Sequence, residues 1–292
     1  NLFNIGVEGL YLFGGFCAAG AGGGAGGRPA AVHLPLTILA GMAGGVLWAL
    51  LPAYLKVRRG VHEVISTIMM NYIAFSLVHY FIADVFMDPA QASETGFGSP
   101  RVRMPLLLPT ARMPTLHGLL GALGLHLPKH VYLNWFLIVG VAVAALLFVL
   151  IWKLPFGMEL RAVAQNPGAA EAQGIKPRRI YFLAFLISGA IAGMAGLSDL
   201  LCYFGYMDID FPRGYGFDGI AVALLAKNDP FAVILAALLF GFLDRGGEGV
   251  QALAGVPMEV ITILEAVMIL SIVVAYELLT RYIRTQRKRE AE

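Results

Sequence analysis

The feature that most restricts this chain is a series of apolar stretches, each near the roughly 20 residues a helix needs to cross the hydrocarbon of a bilayer. They run from Ile5 to Ala21, Leu34 to Leu55, Val64 to Ala83, Val131 to Trp152, Ile180 to Leu201 and Val260 to Leu279. Apolar residues make up 58% of the sequence and charged residues 14%, and the charges fall between the stretches rather than along one face of each. No soluble domain of this size tolerates such a surface. Backbone groups in lipid must be satisfied within the spanning element, so the expected fold is all-α: a polytopic transmembrane helical bundle forming a single domain over residues 1–292.

The opening NLFNIGVEGLYLFGG has neither the basic start nor the small-residue cleavage site of a signal peptide. It begins within a helix-like run, so the sequence is expected to be N-terminally incomplete by one or two spans. The tract AGAGGGAGG is expected to turn the chain after the first run. Gly219 to Leu225 and Phe231 to Leu243 are short runs split by KNDP. Residues 217–243 therefore read as a broken helix or a re-entrant pair. Irregular backbone at membrane depth has to be buried in protein or line a wet cavity, so the break points to a pathway.

Basic residues orient the bundle. Lys56, Arg58, Arg59, Lys153, Arg161, Lys176, Arg178, Arg179 and the tail 281–289 fall on one side, and they outnumber Arg28, Arg101, Arg103, Arg112, Lys129, Arg213 and Arg245 on the other. The excess places both ends in the cytoplasm. It also makes Met87 to His130 a long external loop, expected to hold short helices and given no mechanistic role. The tail RYIRTQRKR is a stop for the last span, and the net charge of +2 gives no reason to expect nucleic acid as a partner. Gly41 and Gly45, and Gly189 and Gly193, are pairs four apart that let helix backbones approach closely.

The cytoplasmic loop 153–179 can hold a short helix, with Asn166 as its cap, Pro167 in the first turn and Gly174 as its stop. Such a helix is either a contact for a motor subunit or a turn in a solvated loop.

Polar groups within apolar spans are costly and mark candidate pathway positions. Glu8, Asn71, Asp218, Glu248, Gln251 and Glu265 qualify, and Thr67, Asn71 and Phe75 share one helix face. Amides or carboxylates beside an aromatic ring suit a hydroxylated sugar and a flat base. Other readings stand beside this one: Asn71 as glue between helices, Glu8 and Glu248 as solvated residues near span ends, and Glu63 as the cap of the third span. His62 and His79 lack a second ligand at metal spacing, and no HExxH or nucleophile and base pair is present. No metal and no catalytic residue are expected. Cys17 and Cys202 are too isolated to suggest a disulfide framework.

The segment GMELRAVAQNPGAAEAQGI resembles the coupling-loop signature of permeases in the branched-chain amino acid, sugar and nucleoside class of ABC importers. NIGVEG near the start, GVHEVISTIMMNYIA at 60–74 and GYGFDGIAVALLAKNDP at 214–230 are similar to the nucleoside branch in particular. The resemblance implies a vitamin-B12-importer-like permease fold in a bacterial inner membrane, moving a nucleoside by alternating access. It implies as partners a second related permease, ATPase subunits that carry ATP and magnesium, and an extracytoplasmic substrate-binding lipoprotein; no cofactor is implied for this chain. Arg161, Asn166, Pro167, Ala169, Ala170 and Gly174 then belong to the loop that meets the ATPase, and Glu265 packs against the paired permease. The sequence has no GxxxxGK[ST] loop, so hydrolysis falls to a partner. A simple sugar or a branched-chain amino acid is the alternative cargo. An ion-coupled secondary transporter is the alternative class, and it would call for paired midplane acids and inverted repeats.

Overall fold

The structure, a computed structural model, describes residues 3–24, 26–89, 102–116, 133–211 and 214–257, with further positions between 259 and 274. Glu265, the basic tail and residues 90–101 and 117–130 of the loop expected to be external lie outside the described residues. Described positions from 259 to 274 are helical, where the last span is expected. The chain divides into two compact units, Asn1–Val143 with Val149–Phe217, and Ala144–Phe148 with Asp218–Glu292.

In the first unit α1 (Val7–Gly24) is the central helix, with Glu8, Tyr11, Leu12, Gly14, Ala18 and Gly22 among its buried residues. It runs through AGAGGG instead of turning after Ala21. Glycine lowers helix propensity, but close packing overrides it here: a Cβ at Gly22 would strike Leu107 and come within 3.3 Å of Thr37. Around α1 lie α2 (Ala30–Tyr54), extended by a wider π turn over Leu55–Arg59, and α3 (Glu63–Tyr80), extended likewise over Phe81–Val85. Gly60, in the left-handed conformation at φ 67°, turns the chain between them, and Lys56 forms an ion pair with Glu63 across the turn. Glu63 thus opens α3 while its carboxylate reaches back to α2.

Next come α4 (Phe136–Trp152), α5 (Pro155–Gln165), α6 (Pro167–Ala172) and α7 (Pro177–Ala192). The fourth span is expected to start at Val131, yet α4 begins at Phe136, where the Asn134 side chain accepts the Phe136 N–H at 3.0 Å. Helices α4 and α5 meet at a 69° bend.

The glycine pairs join α1, α2 and α7. A Cβ on Gly14 would lie 2.6 Å from Gly193 Cα and 2.8 Å from the Gly41 carbonyl oxygen, and one on Gly189 would lie 2.7 Å from both Ala49 Cβ and the Gly45 carbonyl oxygen. The three backbones therefore touch without intervening side chains, in the manner of small-residue crossings in membranes. The fifth span, expected to run from Ile180 to Leu201, is not one regular helix over that length. Helix α7 stops at Ala192, tight turns follow (Met194 N–H to Ile191 O, 3.0 Å; Ala195 N–H to Ala192 O, 3.0 Å), and a π segment over Asp199–Phe204 ends at Gly205, φ 72°.

The core of the unit gathers Tyr11, Leu12, Val78, Ile82, Leu197, Leu200, Met207 and Phe211. Residues 102–116 join it through Met104 and Leu107, with a 3-10 turn at Pro109–Ala111. Backbone bonds run from Leu107 N–H to Gly205 O (2.8 Å) and from Leu108 N–H to Gly22 O (3.1 Å), and His33, fully buried, lies 2.7 Å from the Thr110 hydroxyl.

The second unit holds most of α8 (Tyr215–Leu225) and all of α9 (Pro230–Ala254). The chain reverses between them through Lys227 and Asn228, both left-handed at φ 53° and 58°, and Asp229 caps α9 by accepting the N–H groups of Phe231 and Ala232 at 3.0 and 2.9 Å. Val222, Ala226, Ala236 and Phe240 close the hairpin. The break falls at KNDP as expected, but its second arm is longer than Phe231 to Leu243, reaching Ala254 through Asp244, Arg245 and Glu248. Three helical stretches among the described residues are long and apolar enough to cross a membrane: Ala30–Arg59, Glu63–Val85 and Pro230–Ala254.

Candidate functional site

The polar residues singled out within the spans separate by unit. In the first unit Thr67 and Asn71 of α3 lie against Gly6 and Gly9 at the start of α1, whereas Glu8 finds its partners elsewhere. Asn71 is 4% exposed. Its Oδ1 accepts the Gly9 N–H at 2.9 Å and its Nδ2 donates to the Ile5 carbonyl at 2.9 Å, so one side chain serves a donor and an acceptor of the first turn of α1 that no helix bond satisfies. Thr67, 1% exposed, donates back to the Glu63 carbonyl at 2.8 Å and fills the space beside Gly6. Asn71 thus bridges α3 and the start of α1. Phe75 is half-buried against the core.

Glu8 is not the solvated residue that its place near a span end suggests. It is 2% exposed, and its Oε1 accepts the Tyr11 hydroxyl at 3.0 Å and the Gly214 N–H at 2.6 Å, while its Oε2 accepts the Gly216 N–H at 2.9 Å. Gly214 and Gly216 lie more than 200 residues along the chain, at the start of α8. No local pattern pairs them with Glu8.

In the second unit Asp218, Glu248 and Gln251 are all exposed. Glu248 lies 2.6 Å from Arg245, three residues earlier on α9. Asp244, Glu248 and Gln251 recur at helical spacing along α9 and form a polar stripe on a helix otherwise apolar enough to span. Groups of this kind have hydrogen-bonding capacity left for water or a polar solute.

A stacking surface that sequence reasoning missed lies in the first unit. Phe13 stacks on Trp48 at 4.5 Å and sits 6.0 Å from Phe16, which stacks on Phe81 at 5.4 Å and meets Phe86 edge-on at 5.6 Å. Phe13, Phe16 and Phe81 are half-buried. The only local signal is Phe13 and Phe16 three apart on one face of α1.

Residues 153–179 hold the short capped helix that their sequence suggests. Asn166 Oδ1 accepts the Gly168 and Ala169 N–H groups at 3.0 and 3.1 Å, and Pro167 occupies the first position of α6, where no N–H is needed. At the other end Gly174, φ 85°, donates to Glu171 O at 2.9 Å and Ile175 donates to Ala170 O at 3.1 Å, the paired bonds of a Schellman stop. Arg161 lies over the Trp152 ring, 4.5 Å from its centroid, and braces the bend between α4 and α5. The six residues named for this loop do not all face outward. Asn166, Pro167, Ala169 and Gly174 are exposed, whereas Ala170 is 3% exposed and packs with Val163 and Ile180 against Leu160 and Ile175. Ala170 holds the loop together from inside.

The family model described as branched-chain amino acid transport system / permease component matches residues 1–275. A guanosine ABC transporter permease protein of Bacillus subtilis, NupP, is 39% identical over 277 residues, 94% of this chain and 74% of that protein. A glucose ABC transporter permease protein of Haloferax volcanii, TsgB13, is 31% identical over 97% of this chain and 71% of its own length. A nucleoside ABC transporter permease protein of Lactococcus lactis, NupB, is 30% identical over 94% of this chain and 73% of its own. No solved structure matches. Together with the apolar helices, these matches describe a multi-pass membrane protein.

Proposed function

We propose that this chain, which belongs to the permease family of the branched-chain amino acid transport systems, is the membrane-spanning subunit of an ATP-driven importer that carries nucleosides. The observation that carries the reading is the 39% identity to the guanosine permease over 94% of the chain. The permease adopts a vitamin-B12-importer-like fold in the inner membrane with both ends of the chain cytoplasmic, and it works by alternating access. The sequence has no GxxxxGK[ST] loop, so ATP and magnesium are bound by a partner ATPase. A second related permease and an extracytoplasmic binding lipoprotein complete the assembly.

The exposed Asn166, Pro167 and Ala169 meet the ATPase, Ala170 and Gly174 set the shape of the short helix behind them, and Arg161 ties α5, which leads into that helix, to the end of α4. A short, doubly capped helix keeps its form when pushed, which suits a mechanical contact. Asp218, Glu248 and Gln251 are the groups offered to the solute path; Glu8, Thr67 and Asn71 are bound into the scaffold. A second reading, a simple sugar as cargo, is favoured by the 31% identity to the glucose permease.

The test is uptake of radiolabelled guanosine, glucose and leucine by vesicles holding this chain with its ATPase, paired permease and binding lipoprotein, with and without ATP. ATP-dependent guanosine uptake is expected. Uptake of glucose alone moves the cargo to the second reading, and uptake independent of ATP sinks the class.

A further inference from the structure

Glu8 is a buried carboxylate of the first unit that the transport reading leaves without a task. A carboxylate group 2% exposed within a helix as apolar as α1 is costly unless its oxygens are satisfied, and here they are satisfied by a segment far away in sequence. Every hydrogen bond its oxygens make is an accepted one, two of the three from the backbone of Gly214 and Gly216. The fit is close: a Cβ on Gly216 would lie 2.6 Å from the Glu8 backbone nitrogen and 2.7 Å from its Oε2. Tyr215 between the two glycines places its ring 6.1 Å from that of Tyr11, the residue that donates the third bond. The chain leaves the first unit just beyond, between Phe217 and Asp218.

We infer that Glu8 is a positioning residue for transport, a latch that fixes the 214–216 backbone on α1 at the point where the chain leaves the first unit, without itself touching the solute. Three features of the geometry support this. The group lies across three converging donors, which fixes orientation as well as distance. The glycines remove the side chains that would hold the segment away. A glutamine at this position cannot replace the carboxylate, because its amide nitrogen would point a donor at a backbone donor.

The inference rests on the transport reading above, so the test pairs a readout that needs no solute with one that does. In the assembled transporter, amide hydrogen exchange is followed in the peptide covering 214–217 and in peptides from α1 and α2, beside uptake of whichever solute the wild type carries. For E8Q, exchange at 214–217 is expected to rise at least tenfold while α1 and α2 keep theirs, and maximal uptake to fall about tenfold with the KM for solute unchanged. Gly216→Ala, which leaves the carboxylate in place and wedges the segment off it, should reproduce both changes. Unchanged exchange at 214–217 in E8Q overturns the latch. So does an equal rise across α1 and α2, which would make Glu8 a general support, and so does raised exchange with undiminished uptake. A wild type that carries no guanosine sinks the nucleoside reading alone, since exchange still decides the latch.

Discussion

Glu8 in α1 and Glu248 in α9 are the same side chain set in two apolar helices, and the two units treat them in opposite ways. Glu8 is 2% exposed, with both oxygens occupied by donors from elsewhere in its unit. Glu248 is exposed and meets Arg245 one turn away on its own helix. A carboxylate in an apolar run is therefore no marker of a solute path by itself. What separates the cases is the hydrogen-bonding capacity left over once the fold has been satisfied. Glycines differ too: Gly14, Gly41, Gly45, Gly189 and Gly193 of the first unit lie against backbone, whereas Gly241, Gly246 and Gly249 of α9 have nothing within 4 Å of an added Cβ.

The sharpest way to break this contrast is a pair of valines. Gly45→Val should cost about 3 kcal/mol or more, because the new side chain enters the space of the Gly189 backbone. Gly241→Val should cost no more than roughly 1 kcal/mol. Thermal unfolding of the detergent-solubilised proteins measures both, and equal losses would erase the distinction between the units. Next in size, Ala170→Arg forces a charge among Val163, Leu160 and Ile180 and should cost about 2 to 3 kcal/mol, seen as rapid proteolysis within 153–179. Ala169→Arg, on the exposed side, should leave the loop resistant and lower solute-stimulated ATP hydrolysis; normal coupling there removes this surface from the motor contact.

Asn71→Leu orphans the Gly9 N–H and the Ile5 carbonyl, with an expected loss of about 1 to 3 kcal/mol. Unaltered stability together with a raised KM would return Asn71 to the solute path. The smallest effect belongs to Glu248→Gln. An exposed pair contributes little, so its stability should stay within about 0.5 kcal/mol, and the uptake rate is the quantity to watch. An uptake rate equal to wild type takes Glu248 off the path.

Local rules made part of this legible. The four-residue spacing of Gly41 with Gly45 and of Gly189 with Gly193 announces close helix contact, and the contact is there. Asn166, Pro167 and Gly174 encode their helix ends through their own backbone geometry, so cap and stop are readable without tertiary information. The KNDP break is readable for the same reason. Glu8 stands out in the sequence as a polar residue in a span, but its partners lie beyond any periodicity, and its burial cannot be read from its place near a span end. Ala170 looks like its neighbour Ala169 until α5 and α7 enclose it. The persistence of α1 through AGAGGG could not be read locally either, because the side chains packed on Gly22 come from Leu107 and Thr37, far along the chain.

The meeting of α1, α2 and α7 at Gly14, Gly41 and Gly193 also limits how the first unit can move. Sliding α7 along α2 by one residue would carry Ala192 or Met194 to the point where only a bare Cα fits. The contact works as a keyed joint, in which sliding along the helix axes drives a side chain into a place shaped for none.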